Sequence, residues 1–291
     1  LEEIAKYIDW SPFFWSWELR GKFPEILRHP ERGAEATKLY EDGRRLLDEI
    51  IENRWLQASG VYGFWPAASI EEDIVVFEDE SRAKEITRFH FLRQQWLSDD
   101  RDRYYSLADF VAPLESKRQD YLGAFAVTGG LGTDELVRRF EADNDDYGAI
   151  MAKVLADRLA EAFAERLHEM ARIEWTFGRD ENLTVADMIA EKYRGIRPAP
   201  GYPSLPDHTL KRPLFELLDA EKVSGIELTE SFMMYPAGSV SGFIFSHPGS
   251  RYFAINRVTR DQVEDYARRK GVKLKEAEKW LAPVLGYDAE E

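Results

Sequence analysis

Cysteine is absent from the chain. That excludes disulfides, thiolate nucleophiles and thiolate metal sites, and it fits a reducing compartment, so a cytoplasmic location is expected. Positive charge is in short supply: 39 lysines and arginines stand against 54 acidic residues, a formal net charge of −15. Nucleic acid or an anionic membrane as the main partner is therefore not expected, because phosphate recognition needs a concentrated positive surface. The five histidines are scattered without metal-ligand spacing. No apolar run reaches the roughly 18 residues of a membrane span, and the start Leu1-Glu2-Glu3-Ile4 has neither the basic segment nor the apolar stretch of a secretory signal. Position 1 is leucine rather than methionine, and the expectation is a segment cut from a longer polypeptide.

What is present is enough apolar material, 44% of 291 residues, for a sizeable core. The opening 8–17, rich in Trp and Phe, is too aromatic to lie exposed and reads as a covered N-terminal arm. Between Gly33 and Trp55, Leu39, Leu46, Leu47, Ile50 and Ile51 recur at helical spacing among charges, predicting an amphipathic helix that covers a sheet. Gly60 to Phe64, Asp73 to Phe77 and Lys84 to Leu92 read as adjacent antiparallel strands. Tyr121 to Thr128 reads as a buried central strand ended by Gly129-Gly130. A long helix follows, with Ile150, Val154, Leu155, Leu159, Phe163, Leu167 and Met170 on its apolar side and Asp157, Glu161 and Glu165 on another face. Ser241 to Ser246 and Arg251 to Val258 predict a hairpin turning at His247-Pro248-Gly249, and Asp261 to Trp280 is helical and polar. With no repeat, low-complexity tract or linker in sight, residues 1–291 read as one α+β domain, a twisted, mainly antiparallel β-sheet with covering helices.

Several chemical signals fail on inspection. His168-Glu169-Met170-Ala171-Arg172 opens like a zinc-protease helix but has arginine where the second histidine belongs. Gly129-Gly130-Leu131-Gly132 lacks the lysine and hydroxyl of a phosphate loop and reads as a strand-ending turn. No serine sits in a Gly-x-Ser-x-Gly elbow. The informative passage is Glu191 to His208, where prolines at 198, 200, 203 and 206 freeze the backbone and remove amide donors. A rigid, irregular loop results, presenting fixed carbonyls and amides to a planar heterocycle, with Gly201 allowing close approach and Arg197 offering a fork for a carboxylate. A plain surface crossing is the competing reading of the same composition.

Arg197-Pro198-Ala199-Pro200-Gly201-Tyr202-Pro203, followed by His208, resembles the Arg-x-x-x-Gly-Tyr-Pro signature of the activation domain of vitamin B12-dependent methionine synthase. The resemblance spans the chain: Tyr7 to Phe14 (YIDWSPFF), Leu107 to Pro113 (LADFVAP), Gly123 to Gly130 (GAFAVTGG) and Asp261 to Gly271 (DQVEDYARRKG) are similar to that family as well. It implies that S-adenosylmethionine is bound and that its methyl group, with an electron from a flavodoxin or similar donor, restores inactive cobalamin. Such a methyltransferase module needs no catalytic side chain, since the sulfonium is already activated and the protein's work is positioning. By the same resemblance Arg197 clamps the carboxylate, Asp9 accepts from the ammonium, and Glu161 and Glu191 supply negative charge. The backbone at Ala199 and Gly201 is expected to contact the adenine, Tyr202 and Tyr252 to border the site, and His208 to be a further ligand position. Asp157 is expected to meet the cobalamin-binding module. The plainer readings are a helix cap for Asp9, a surface acid for Glu161 and a core or edge aromatic for Tyr252.

The chain has no Asp-x-His-x-x-Gly cobalamin signature, zinc-binding homocysteine module or folate barrel, so the cobalamin is expected from another module or subunit, and the chain alone is not expected to make methionine. An acidic electron carrier meeting this net charge needs a local basic patch, for which Arg268-Arg269-Lys270 with Lys273 and Lys275 is the candidate. Two rival readings remain: a non-catalytic S-adenosylmethionine sensor acting without cobalamin, and a hydrolase built on the acidic stripe.

Overall fold

In the computed structural model, residues 1–96 and 103–289 are described. The N-terminal arm leads into the short helix α1 (Ser11–Trp15), where Phe13 and Phe14 are fully buried while Trp15 faces solvent. Helix α2 (Gly33–Glu52) follows, then strands β1 (Gln57–Ile70), β2 (Asp73–Phe77), β3 (Glu85–His90) and β4 (Tyr121–Leu131). Helices α3 (Thr133–Ala142), α4 (Asp146–Glu174) and α5 (Val185–Ile189) precede the proline-rich loop. Beyond it come α6 (Lys211–Leu218), α7 (Ala220–Ser224), the two-stranded ribbon of β5 (Glu227–Leu228) and β6 (Met234–Tyr235), and strand β7 (Ser239–Ile244). Helices α8 (Arg260–Lys270) and α9 (Leu274–Leu281) end the fold, separated by Gly271 at φ 73°, the left-handed conformation that stops a helix at low cost.

The main sheet is antiparallel throughout, in the order β3-β2-β1-β4-β7. The long strand β1 joins two pairings: Val61 to Pro66 lie opposite Ala126 to Tyr121 of β4, and Ala67 to Ile70 lie opposite Val76 to Asp73 of β2. Side-chain alternation along β4 separates the two cores. Leu122, Ala124 and Ala126 join the core under α6, α8 and α9, whereas Phe125 and Val127 pack on α4. Helix α4, about 43 Å long at 1.5 Å per residue, is capped by Asp145, whose side chain accepts the Gly148 N–H at 2.8 Å. Its alanines let it lie close on the sheet: a Cβ added to Gly129 would stand 2.7 Å from the Leu159 Cβ and 2.9 Å from the Ala160 nitrogen.

Four expectations need correction. Helix α2 packs on α4 and the N-terminal arm rather than on the sheet, forming a second layer through Leu47 and Ile50. Strand β4 runs through Gly129 and Gly130 to Leu131, because Gly129 is needed where α4 crosses. On α4 the apolar side is centred on alanines and Leu155, Leu159 and Leu167, while Ile150 is exposed and Glu165, expected on another face than the apolar one, is buried. The hairpin does not form. The free edge of β7 is taken by the proline-rich loop, with Ile196 and Phe245 exchanging backbone hydrogen bonds at 3.1 and 2.9 Å and Phe243 N–H donating to the Pro198 carbonyl at 2.9 Å. The 251–258 segment turns its own groups elsewhere, Ile255 N–H to the Pro203 carbonyl and Val258 N–H to the Val284 carbonyl.

Candidate functional site

That edge substitution builds the site. With the loop sewn to β7 and α4 crossing the same face, a cavity of about 490 Å³ is left between them, within the range typical of small-molecule sites. Phe125 and Val240 of the sheet form its apolar floor. Glu161 of α4 and Glu191 after α5 bring charge, and Pro198, Ala199 and Pro203 form the loop wall. Gly201 stands at φ 100° behind that wall, and a Cβ there would fall 2.3 Å from the His208 ring, so only glycine allows this turn beside the imidazole.

Arg197 is the one cation among the residues lining the cavity. Its Nη2 pairs with the Glu165 carboxylate at 2.7 Å, its Nη1 donates to the Tyr193 hydroxyl at 2.6 Å, and its backbone N–H donates to the Tyr252 hydroxyl at 3.0 Å. The guanidinium is thereby fixed while further N–H donors stay free for a ligand. Burial opposes its charge, but Glu165 and the surrounding phenols raise its affinity for the proton above that of an ordinary arginine. Burial pushes the Glu165 carboxyl up, partly offset by Arg197 and Arg172. Tyr202 closes the rim, donating to Glu161 Oε1 at 3.0 Å, and burial followed by that carboxylate raises its phenol. Beneath the pair lies His168, fully buried, with neither ring nitrogen partnered among the described residues and its ring edge-on to Tyr193 at 4.7 Å. Burial, then Arg197 and Arg172, depresses its basicity.

Of the residues expected from sequence, Arg197, Glu161, Glu191, Ala199, Tyr202 and Tyr252 line this one cavity. Asp9 does not: its Oδ1 accepts the Ser11 N–H at 2.8 Å and turns the chain into α1, on an arm that runs beside α4. Gly201 and His208 stand behind the loop wall, where His208 Nδ1 lies 2.7 Å from Lys211 Nζ. Asp157 lies off the cavity and pairs with Arg158. Of the candidate basic patch, Arg269 pairs with Asp73 and Asp265 and Lys270 with Asp207 inside the fold, Arg268 pairs with Asp265 at the surface, and Lys273 and Lys275 are exposed. Glu165 and Tyr193 were missed as parts of the site. Their signal was spacing: Glu165 lies one turn beyond Glu161, and Tyr193 four residues before Arg197.

Among the described residues no group of acidic or histidine side chains is arranged to hold a metal ion, and no helix is long and apolar enough to cross a membrane. The family model described as the vitamin B12 dependent methionine synthase activation domain matches residues 1–271. A crystal structure of the MetH reactivation domain bound to AdoHcy is 52% identical, with a TM-score of 0.94, over 99% of this chain and 88% of that one. With its fold, its loop signature and nearly its whole length in agreement, the chain belongs to the family of activation domains of vitamin B12-dependent methionine synthase.

Proposed function

We propose that the cavity beside β7 binds S-adenosylmethionine, and that the chain supports reductive methylation of inactive cobalamin carried by another module of methionine synthase. The observation that carries this reading is Arg197, fixed by Glu165 and Tyr193 at a cavity that also holds Glu161 and Glu191. A ligand bearing a carboxylate, an ammonium and a sulfonium finds a partner for each charge there. The relative solved with AdoHcy supports the same ligand class, since AdoHcy is S-adenosylmethionine without its methyl group. Arg197 takes the carboxylate, and Glu161 and Glu191 face the cationic groups. The adenine lies on the apolar floor of Phe125 and Val240, with the loop backbone at Ala199 at its edge.

Asp9, on the N-terminal arm beside α4, is assigned to the ammonium, Gly201 and His208 to shaping the loop, and Asp157 to the docking face for the cobalamin module. When docked, that module supplies the nucleophile; this chain orients the sulfonium methyl and needs no general base of its own. Residues 1–291 act as one domain, without the means to make methionine unaided. The electron comes from a flavodoxin or similar donor, with the exposed Arg268, Lys273 and Lys275 as the candidate docking patch.

Calorimetric titration of S-adenosylmethionine tests the reading. The folded wild-type chain should bind saturably, and Arg197→Ala should weaken binding by about 2–4 kcal/mol, as expected for losing a charge-assisted pair and leaving Glu165 uncompensated. Asp9→Asn should cost less. Undiminished binding by Arg197→Ala, or none by the wild type, would sink the assignment.

A further inference from the structure

The charges around the cavity do not balance. Arg197 is taken by Glu165. Behind the wall Arg172 pairs with Glu181 at 2.8 Å, and near the rim Arg158 pairs with Asp157. His168, beside the two buried arginines, is held neutral by its burial. Left over are Glu161 and Glu191: both line the cavity, and among the described residues neither has a cation at ion-pair distance. Among the described residues Glu161 has only the neutral Tyr202 hydroxyl as its hydrogen-bond donor.

We propose that Glu165 is a specificity-determining residue: by neutralising Arg197 from behind the cavity wall it leaves the site net anionic, so that a cationic sulfonium is preferred over the uncharged thioether. This rests on the reading of the cavity given above. Were Arg197 uncompensated, its charge would offset one of the two carboxylates and the preference would shrink. The consequence is directional exchange, because S-adenosylhomocysteine, the product left once the methyl group has gone, loses the charge that held it. Glu165 suits this role because it is only 8% exposed at its side chain, where solvent screens it poorly.

S-adenosylmethionine and S-adenosylhomocysteine share carboxylate, ammonium, ribose and adenine, and differ by one methyl group and one positive charge. The ratio of their dissociation constants therefore isolates the charge effect from any general loosening of the site. A unit charge about 8 Å away at an effective dielectric near 40 changes affinity roughly fivefold. The ratio is read by competition of the two ligands in one sample of the full chain at millimolar concentration, where weak binding still yields a value. Glu165→Gln, which keeps an acceptor for Arg197, should lower the preference for the sulfonium about fivefold. Arg197→Gln, which leaves Glu165 unbalanced, should raise it by about the same factor. A structural role would move both ligands together and leave the ratio where it was, and that result in either folded variant overturns the proposal. If Glu165→Gln lacks the wild-type circular dichroism spectrum, Arg197→Gln decides alone. A wild-type chain that binds neither ligand overturns the reading of the cavity and this proposal with it, whereas binding with unmoved ratios overturns this proposal only.

Discussion

His168 carries a cost that its neighbours explain. Its ring is fully buried beside Arg197 and Arg172, with both nitrogens unpartnered among the described residues, so its basicity in the folded chain lies well below the ordinary value of 6.5. The unfolded chain therefore binds a proton below pH 6.5 that the folded chain refuses, and stability falls as pH drops from 6.5 toward the folded value. Within that window the histidine adds a slope that starts at about 0.7 kcal/mol per pH unit at pH 6.5 and approaches about 1.4 as the unfolded imidazole becomes fully protonated. His168→Leu should flatten the slope by about that amount in urea unfolding series at pH 5 to 6.5, and should be near neutral at pH 7.5 because it breaks no hydrogen bond within the protein. A slope unchanged by the substitution would show that the ring is protonated in the native state. The sequence announced Arg197 through its proline-rich signature, but a histidine and a glutamate at successive helical turns look alike whether solvated or buried. Glu165 read as part of an acidic stripe because only the fold brings Arg197 to it.

The same limit appears among the elements. Strands β1 to β4 and helix α4 were legible, since each carries a period of its own that local sequence sets. The partner of β7 was not. A run with strand character from Arg251 to Val258 followed a turn at His247, yet the edge it would have paired with belongs to Ile196 and Pro198, 48 residues upstream of Ile244 when counted from Ile196. Gly242 is where this choice is enforced: a Cβ there would stand 2.5 Å from the Pro198 carbonyl oxygen, closer than atoms of the two backbones tolerate. Gly242→Ala should push the loop off β7 at a cost of about 1–3 kcal/mol. Because that loop is a wall of the cavity, ligand affinity should fall in the same variant, measured by calorimetry beside thermal unfolding. Gly249→Ala, in the exposed turn where the nearest atom to a new Cβ is 3.2 Å away on a histidine ring, should leave affinity unchanged. Equal behaviour of the two variants would mean that loop seating does not set the site.

At the scale of the whole molecule, composition and period indicated helices over an antiparallel sheet but not their layering. An amphipathic helix presents the same pattern whether it lies on strands or on another helix, so α2 was expected on the sheet and is found on α4. The outcome is a sheet with separate apolar cores on its two faces, joined by strand β4, which contributes Ala124 to one and Phe125 to the other. Since alternate residues of one strand serve both cores, neither face can lose its packing while the other keeps the strand in register. We therefore expect residues 1–291 to unfold as one cooperative unit, with far-ultraviolet circular dichroism and tryptophan fluorescence giving the same urea midpoint. Phe243→Ala, in the core under α6 and α8, and Leu159→Ala, on α4 in the core shared with α2 and the N-terminal arm, both empty fully buried positions. Each should cost about 2–5 kcal/mol and move that single midpoint for both signals. If Leu159→Ala shifted the fluorescence transition while leaving a dichroism transition behind, the two faces would be separate folding units, and α4 could leave the cavity while β7 stayed folded.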